Sequence, residues 1–293
     1  MTDQPHKSGY VAIIGKPNAG KSTLMNRILG TKISITTHKP QTTRHQVVGI
    51  FSDDDTQIIF LDTPGVISPK YELQRAMMNT VERARADADV ILFLFDPTDR
   101  FPTDEVIELL KTINKPIFLV VNKMDQADKK RAEGKVRELE EKLRFKEIHY
   151  VSALQGEGVD ELLQAVRTYL VPGPPYYPKE DLSEHPVRFF VSELIREQLF
   201  LQFDEEIPYS CTIDVVNYDA DTDIDRISAD IIVNRKSQKG ILIGKKGAAI
   251  KELGIKSREA IEGFIGKKVF LDLHVKVREK WREKENWVRN FGY

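Results

Sequence analysis

Residues 15–22 read Gly-Lys-Pro-Asn-Ala-Gly-Lys-Ser, directly after the apolar run Tyr10 to Ile14 and directly before the helix-compatible stretch Ser22 to Leu29. Strand, glycine loop and helix in this order make a phosphate-binding loop. The glycines let the backbone coil until successive N–H groups face one polyphosphate, and the helix behind adds the positive end of its dipole. Gly15, Asn18, Ala19, Gly20, Lys21, Ser22 and Thr23 are the expected contacts. Lys21 would reach the β and γ phosphates as a point charge, and the Ser22 hydroxyl would take one position on Mg²⁺. A nucleoside triphosphate is the expected ligand.

Outward from this loop, residues 9–170 alternate short apolar runs with helix-like segments. Tyr10 to Ile14, Gln57 to Leu61, Val90 to Phe95, Ile117 to Val121 and His149 to Val151 are the expected strands. This rhythm predicts an α/β, doubly wound and mostly parallel sheet. Val47 to Phe51 and Gln57 to Leu61, separated by Ser-Asp-Asp-Asp-Thr, read as a hairpin that adds one antiparallel edge. Ligands in such sheets bind outside the carboxyl ends of the strands, where the glycine loop already lies.

Three strand ends extend the site. Asp62-Thr63-Pro64-Gly65 follows Leu61, where a carboxylate can hold Mg²⁺ through water and the Gly65 N–H can meet a γ-phosphate. Asn122-Lys123-Met124-Asp125 closes the run Ile117 to Val121; the Asp125 carboxylate can accept both the N1–H and the exocyclic amine of guanine, a donor pair that adenine lacks. GTP is therefore expected over ATP. Ser152-Ala153-Leu154 would offer the Ala153 N–H to guanine O6.

Together these segments resemble the translation-factor-like GTPases. Gln41-Thr42-Thr43-Arg44, Asp62 to Val66 and the loop spelled with Asn18 are similar to the Era family. The resemblance implies a Ras-like fold, with Thr43 as a second Mg²⁺ ligand, a first switch over Thr31 to Gln46 and a second from Asp62 to about Tyr71. Val66 departs from the small signalling GTPases, which place a water-orienting glutamine there; a valine can neither donate nor accept. In relatives sharing Asn18, that residue helps hold a K⁺ ion that replaces an arginine finger. Lys21, Asn18, Thr43 and Gly65 are thus the expected catalytic residues of a slow, K⁺-stimulated GTPase that cycles between GTP and GDP.

The chain has 293 residues, 41% of them apolar, enough for two cores. Val171 to Pro186 carries five prolines, with Gly173 among them, which reads as a linker. The expected division is a nucleotide domain over 1–172, a proline-rich linker over 173–186, and an α+β domain over 187–293. In the last domain the pattern predicts a helix over Val187 to Phe200, strands over Ile207 to Asn217 and Ile227 to Arg235, helices over Gly247 to Leu253 and Lys256 to Ile265, and a strand over Lys268 to Val277.

Ile243-Gly244-Lys245-Lys246-Gly247 sets a Gly-x-x-Gly turn between two helical segments. The turn and the element order resemble a type II KH domain, whose glycine loop clamps about four nucleotides of a single strand. The carry-over gives Ile243, Gly244, Lys245, Lys246, Gly247, Lys251 and Arg258 as expected RNA contacts. Whole-chain charge is near zero, with 44 Lys and Arg against 45 Asp and Glu. Yet from Arg235 to Arg258 eight cations accompany only Glu252, a local basic patch of the kind that supplies salt-sensitive RNA affinity. Trp281, Trp287, Phe291 and Tyr293 alternate with basic residues, either to stack bases or to anchor the last helix; the sequence leaves both open.

A KH unit after this GTPase is the Era layout. It implies a partner in the 3′ end of small-subunit ribosomal RNA, a role in assembly of the small ribosomal subunit, and action as a monomer. The lone cysteine, Cys211, excludes an intrachain disulfide and reads as a core residue. With no apolar run near 18 residues and no signal-like start, a cytoplasmic protein is expected. A rival reading has the second domain grip a protein or the anionic inner face of the cell membrane as a peripheral contact. The absence of an amphipathic membrane helix or lipidation motif weighs against it.

Overall fold

The computed structural model describes residues 6–293; the first five residues of the expected nucleotide domain, and any leader there, lie outside the described residues. The chain divides into two compact units, one up to Pro69 and over Met77–Glu184, the other over Lys70–Ala76 and His185–Tyr293.

In the first unit the elements run β1 (Lys7–Gly15), α1 (Lys21–Leu29), β2 (Val47–Ser52), β3 (Thr56–Asp62), α2 (Glu72–Asp87, of which the part from Met77 belongs to this unit), β4 (Val90–Phe95), α3 (Asp104–Lys111), β5 (Ile117–Val121), α4 (Lys129–Glu140), β6 (Glu147–Tyr150), α5 (Val159–Tyr169) and β7 (Val171–Pro172). The sheet order is β2-β3-β1-β4-β5-β6, with β7 paired antiparallel to the start of β1. Only β2 of the main path runs antiparallel, as its short acidic turn to β3 requires. The central strands Val-Ile-Leu-Phe-Leu-Phe and Ile-Phe-Leu-Val-Val are buried throughout, because helices cover both faces of a parallel sheet. The carboxyl ends of β1, β3, β5 and β6 therefore emerge at one edge, which gathers residues far apart in sequence.

The proline-rich segment is held to this unit as a strap. Gln57 accepts from the Tyr176 and Tyr177 N–H groups and donates to the Tyr177 carbonyl. The Ile50 N–H donates to the Leu182 carbonyl and the Ser183 hydroxyl donates to the Val48 carbonyl. Prolines suit such an edge because their missing N–H groups face away from the ladder.

The second unit contains α6 (Val187–Gln202), α7 (Ile207–Ser210), β8 (Cys211–Asp219), β9 (Ile224–Val233), α8 (Lys236–Ile243), α9 (Ala248–Ile265), β10 (Lys268–Val277) and α10 (Glu285–Asn290). Its sheet is β10-β9-β8, with β10 and β9 parallel and β8 antiparallel to β9. Two expectations need correction. The run from Ile207 opens as a helical turn, because Pro208 fits a first turn and cannot donate to a ladder. The two helices expected after Gly247 are one, Ala248–Ile265: Gly254 costs about 1 kcal/mol there, but the buried positions Leu253, Ser257 and Ile261 carry the face across it. Cys211 is fully buried and reduced, with its thiol on the Ile207 carbonyl.

Candidate functional site

Gly20 has φ +97°, and a Cβ there would collide with the Asn122 amide; only glycine turns the loop into α1 this close to a neighbouring strand end. Asn18 also lies in the left-handed region at φ +62°, which asparagine tolerates. The loop mouth opens on a cavity of about 290 Å³ lined by Asn18, Gly20, Lys21, Ser22, Thr23, Thr43, Gly65 and Lys123, together with first-switch residues. Of the residues expected to contact phosphate, Asn18, Gly20, Lys21, Ser22 and Thr23 line this one space, while Gly15 and the buried Ala19 do not. Gly15 ends β1 with its backbone against the Leu94 carbonyl.

Lys21 is 6% exposed, and its ammonium donates to the Gly15 and Lys16 carbonyls at 3.2 and 2.9 Å. Burial pushes its pKa down to about 8, and the nearby Asp62 charge opposes that shift.

The Ser22 hydroxyl donates to Asp62 Oδ2 at 2.6 Å and lies 3.0 Å from Thr43 Oγ1, while the Ser34 hydroxyl donates to the same Asp62 oxygen at 2.8 Å. Hydroxyl and carboxylate oxygens converging in this way are the hard donor set that suits Mg²⁺. The three expected metal ligands come from α1, the first switch and the end of β3. Gly65 lies directly against the phosphate loop: a Cβ there would come within 2.5 Å of the Pro17 nitrogen. Val66 is 8% exposed and belongs to the core cluster that includes Val81 and Ala84.

Asn18 Nδ2 donates to the His38 carbonyl at 2.8 Å, which ties the loop to the first switch. That region, between α1 and β2, forms no helix or strand, and Thr42 is bonded within it to Thr37 and the Lys39 carbonyl. Asn18 also lines the phosphate cavity, so its amide is one of the polar groups that border the expected ligand.

On the base side, Asn122 is 2% exposed and joins two loops: it donates to the Ala19 carbonyl at 2.8 Å and accepts from the Ala153 N–H at 2.9 Å. The Ala153 N–H, expected to face guanine O6, is therefore engaged by Asn122 here. Ser152 donates to Asp125 Oδ1 at 2.7 Å, and this bond is the main force holding the Asp125 carboxyl below its usual pKa. Lys123, at φ +61°, pairs with Asp96 at 2.6 Å along the cavity rim. Leu154 is 57% exposed.

Sequence reasoning missed Asn26, Ser34 and Asp96. Asn26 accepts from the Ile33 and Ser34 N–H groups and donates to the Ser34 carbonyl, so α1 also pins the start of the first switch. The signal available was its position one helical turn after Ser22; nothing in sequence marked Ser34 or Asp96.

In the second unit, Gly244 at φ +70°, Lys246 at +53° and Gly247 at +78° bend the chain between α8 and α9. A Cβ on Gly244 would press on Ala249 at 2.7 Å. Lys245, Lys246 and Lys251 are exposed, without an ion-pair partner among the described residues. The basic patch is weaker than its sequence, since Lys256 pairs with Glu252 and Arg258 with Glu262. Ile243 packs partly into the core below the loop. Of the terminal rings, Trp281 is fully buried with its Nε1–H on the Ser210 carbonyl, and it stacks on Tyr293. It is a core anchor; Trp287 stacks on Phe291 nearer the surface.

Family models agree with both units: one described as a 50S ribosome-binding GTPase matches residues 10–123, and one for the KH domain matches residues 206–282. GTPase Era of Staphylococcus haemolyticus is 42% identical over 291 residues, spanning 98% of this chain and 97% of that one. The chain belongs to the Era family of GTPases. Among solved structures, Aquifex aeolicus Era bound to GDP and AlF4⁻ matches with a TM-score of 0.93 at 38% identity, covering 98% of this chain and 99% of its own. An Era complex with MgGDPNP and nucleotides 1506–1542 of 16S ribosomal RNA matches equally well. This Era-family chain is accordingly a GTPase with a Ras-like domain and a KH domain. No helix among the described residues is long and apolar enough to cross a membrane.

Proposed function

We propose that this GTPase is a switch whose KH domain binds the 3′ region of 16S ribosomal RNA and assists assembly and maturation of the small ribosomal subunit. The observation that carries the RNA reading is the Gly244–Gly247 turn, which presents the exposed Lys245 and Lys246, with Lys251 in the helix that follows and the half-exposed Ile241 in the one before. A phosphodiester strand can approach that backbone closely while its bases lie on apolar surface. Support comes from the Era complex with nucleotides 1506–1542.

In the nucleotide site, Lys21 and the loop N–H groups hold the β and γ phosphates, and Asp125, oriented by Ser152, accepts the two guanine donors. Guanine O6 shares the Ala153 N–H with Asn122. Ser22 and Thr43, with Asp62 through water, would hold Mg²⁺, which neutralises charge on the phosphates. The Gly65 N–H would meet the γ-phosphate, so loss of that phosphate on hydrolysis would release the segment after Asp62. With Val66 in the core, no side chain there orients water; Asn18 helps hold K⁺ as the compensating positive charge, and turnover is slow.

The test uses the full chain carrying Lys245→Glu and Lys246→Glu, with an oligonucleotide of the 16S 3′ region, a scrambled oligonucleotide and anionic phosphatidylserine vesicles. RNA binding is expected to fall more than tenfold with GTP hydrolysis intact. Unchanged RNA affinity, or vesicle binding in place of RNA binding, would overturn the reading in favour of peripheral membrane contact. Equal RNA affinity of the GTP-analogue and GDP forms would remove the switch.

A further inference from the structure

We infer that Arg27 is a positioning residue for guanine recognition, holding the Ser152–Leu154 loop from its outer side. The inference rests on the guanine-site reading above. Arg27 sits in the last turn of α1, the helix that starts at the phosphate loop. Its Nε donates to the Ala153 carbonyl at 3.2 Å, and its Nη2 donates to the Leu154 carbonyl. One rigid planar group thus grips two consecutive peptide planes, a geometry that the point charge of a lysine cannot reproduce.

The backbone around these two planes is also attached to the base site. The Ala153 N–H, in the peptide plane just before them, bonds to Asn122, which in turn bonds to the phosphate loop. The peptide carrying the Leu154 carbonyl ends in the Gln155 N–H, which donates to the Ser152 hydroxyl at 3.1 Å, the same hydroxyl that orients Asp125. The loop backbone is therefore held between Asn122 inside and Arg27 outside. Gly156, at φ +89°, keeps the following turn close to the arginine: a Cβ there would be 3.5 Å from Arg27 Cδ.

The loop needs such a hold because its outer side borders open space. A cavity of about 310 Å³, lined by Thr23, Asn26, Arg27, Gly30, Ala153 and Leu154, separates it from the end of α1. Arg27 crosses that gap, so a single helix references both the phosphate contacts at its start and the O6 contact at its end. Charge-assisted bonds hold these two carbonyls, and the peptide planes that carry them, more firmly than neutral donors would.

The experiment measures dissociation constants of GDP, IDP and ADP for wild type, Arg27→Ala and Arg27→Lys, alongside thermal unfolding of the nucleotide-free proteins. GDP and IDP share O6, so both should weaken about tenfold in Arg27→Ala, roughly 1.4 kcal/mol. ADP presents no O6 acceptor and should keep its affinity. Arg27→Lys should recover part of the loss. A GDP change under threefold, or an equal loss for ADP, overturns the inference, as does a loss that merely follows a lowered unfolding temperature. If wild type binds ADP as tightly as GDP, it is the guanine reading that fails.

Discussion

Asn122→Ala tests how the two halves of the nucleotide site are joined. The side chain is 2% exposed and makes two buried bonds, to the Ala19 carbonyl at 2.8 Å and from the Ala153 N–H at 2.9 Å. Alanine leaves both backbone partners without their side-chain partner, at about 1–3 kcal/mol each, so the total is about 2–6 kcal/mol. For a domain of this size each kcal/mol lowers Tm by about 2–4 °C, which predicts a drop of roughly 4–24 °C in the nucleotide-free protein. A second effect separates joining from mere stability: once the phosphate and base loops move independently, GDP dissociation should quicken at least tenfold at temperatures where the variant is still folded. Stopped-flow release of a fluorescent GDP, with circular-dichroism melting on the same samples, reads both. A variant that melts earlier yet releases GDP at the wild-type rate would refute the idea that Asn122 ties the loops together. Unchanged melting would refute the bonds themselves.

Lys21, lowered to about 8 by burial, predicts a pH dependence of nucleotide binding. Below pH about 8 the ammonium is already charged and GDP affinity should be flat; above it, binding must recharge the lysine, so affinity falls with rising pH and calorimetry in buffers of different ionisation enthalpy should show proton uptake. Flat affinity through pH 9 contradicts this. For Asn18, hydrolysis should run faster in K⁺ than in Na⁺ buffer, and Asn18→Ala should remove the difference; equal rates in wild type sink the K⁺ role. Trp281→Ala removes a fully buried indole and its bond to the Ser210 carbonyl, so the KH unit should lose about 3–5 kcal/mol while GTP hydrolysis persists. If RNA affinity fell with no loss of stability, Trp281 would be a stacking surface after all.

Much of the nucleotide domain was legible because its strands are buried on both faces and read as unbroken apolar runs, as in Val90–Phe95 and Ile117–Val121. The second unit was less legible at Ile207 and Gly254, where a proline turn and the packing of a long helix outweighed local preference. The Arg258 pairing with Glu262 likewise lay beyond a charge count, since it depends on which residues face each other one turn apart.

The sequence alone determined the chemistry on offer: a glycine loop with Lys21 and Ser22, a guanine-selecting Asp125, a Val66 unable to handle water, and a glycine clamp flanked by lysines. Residue type and spacing suffice for these, because each is a local backbone or functional-group property. The tertiary structure decided which groups are held and by what. It put Val66 into the core, buried Trp281 against the Ser210 carbonyl and Tyr293 rather than on the surface, joined Asn122 to loops 103 and 31 residues away, and brought Arg27 across to carbonyls 126 and 127 residues away. Those contacts exist only because parallel strands end at one edge, where packing rather than sequence separation sets the distance.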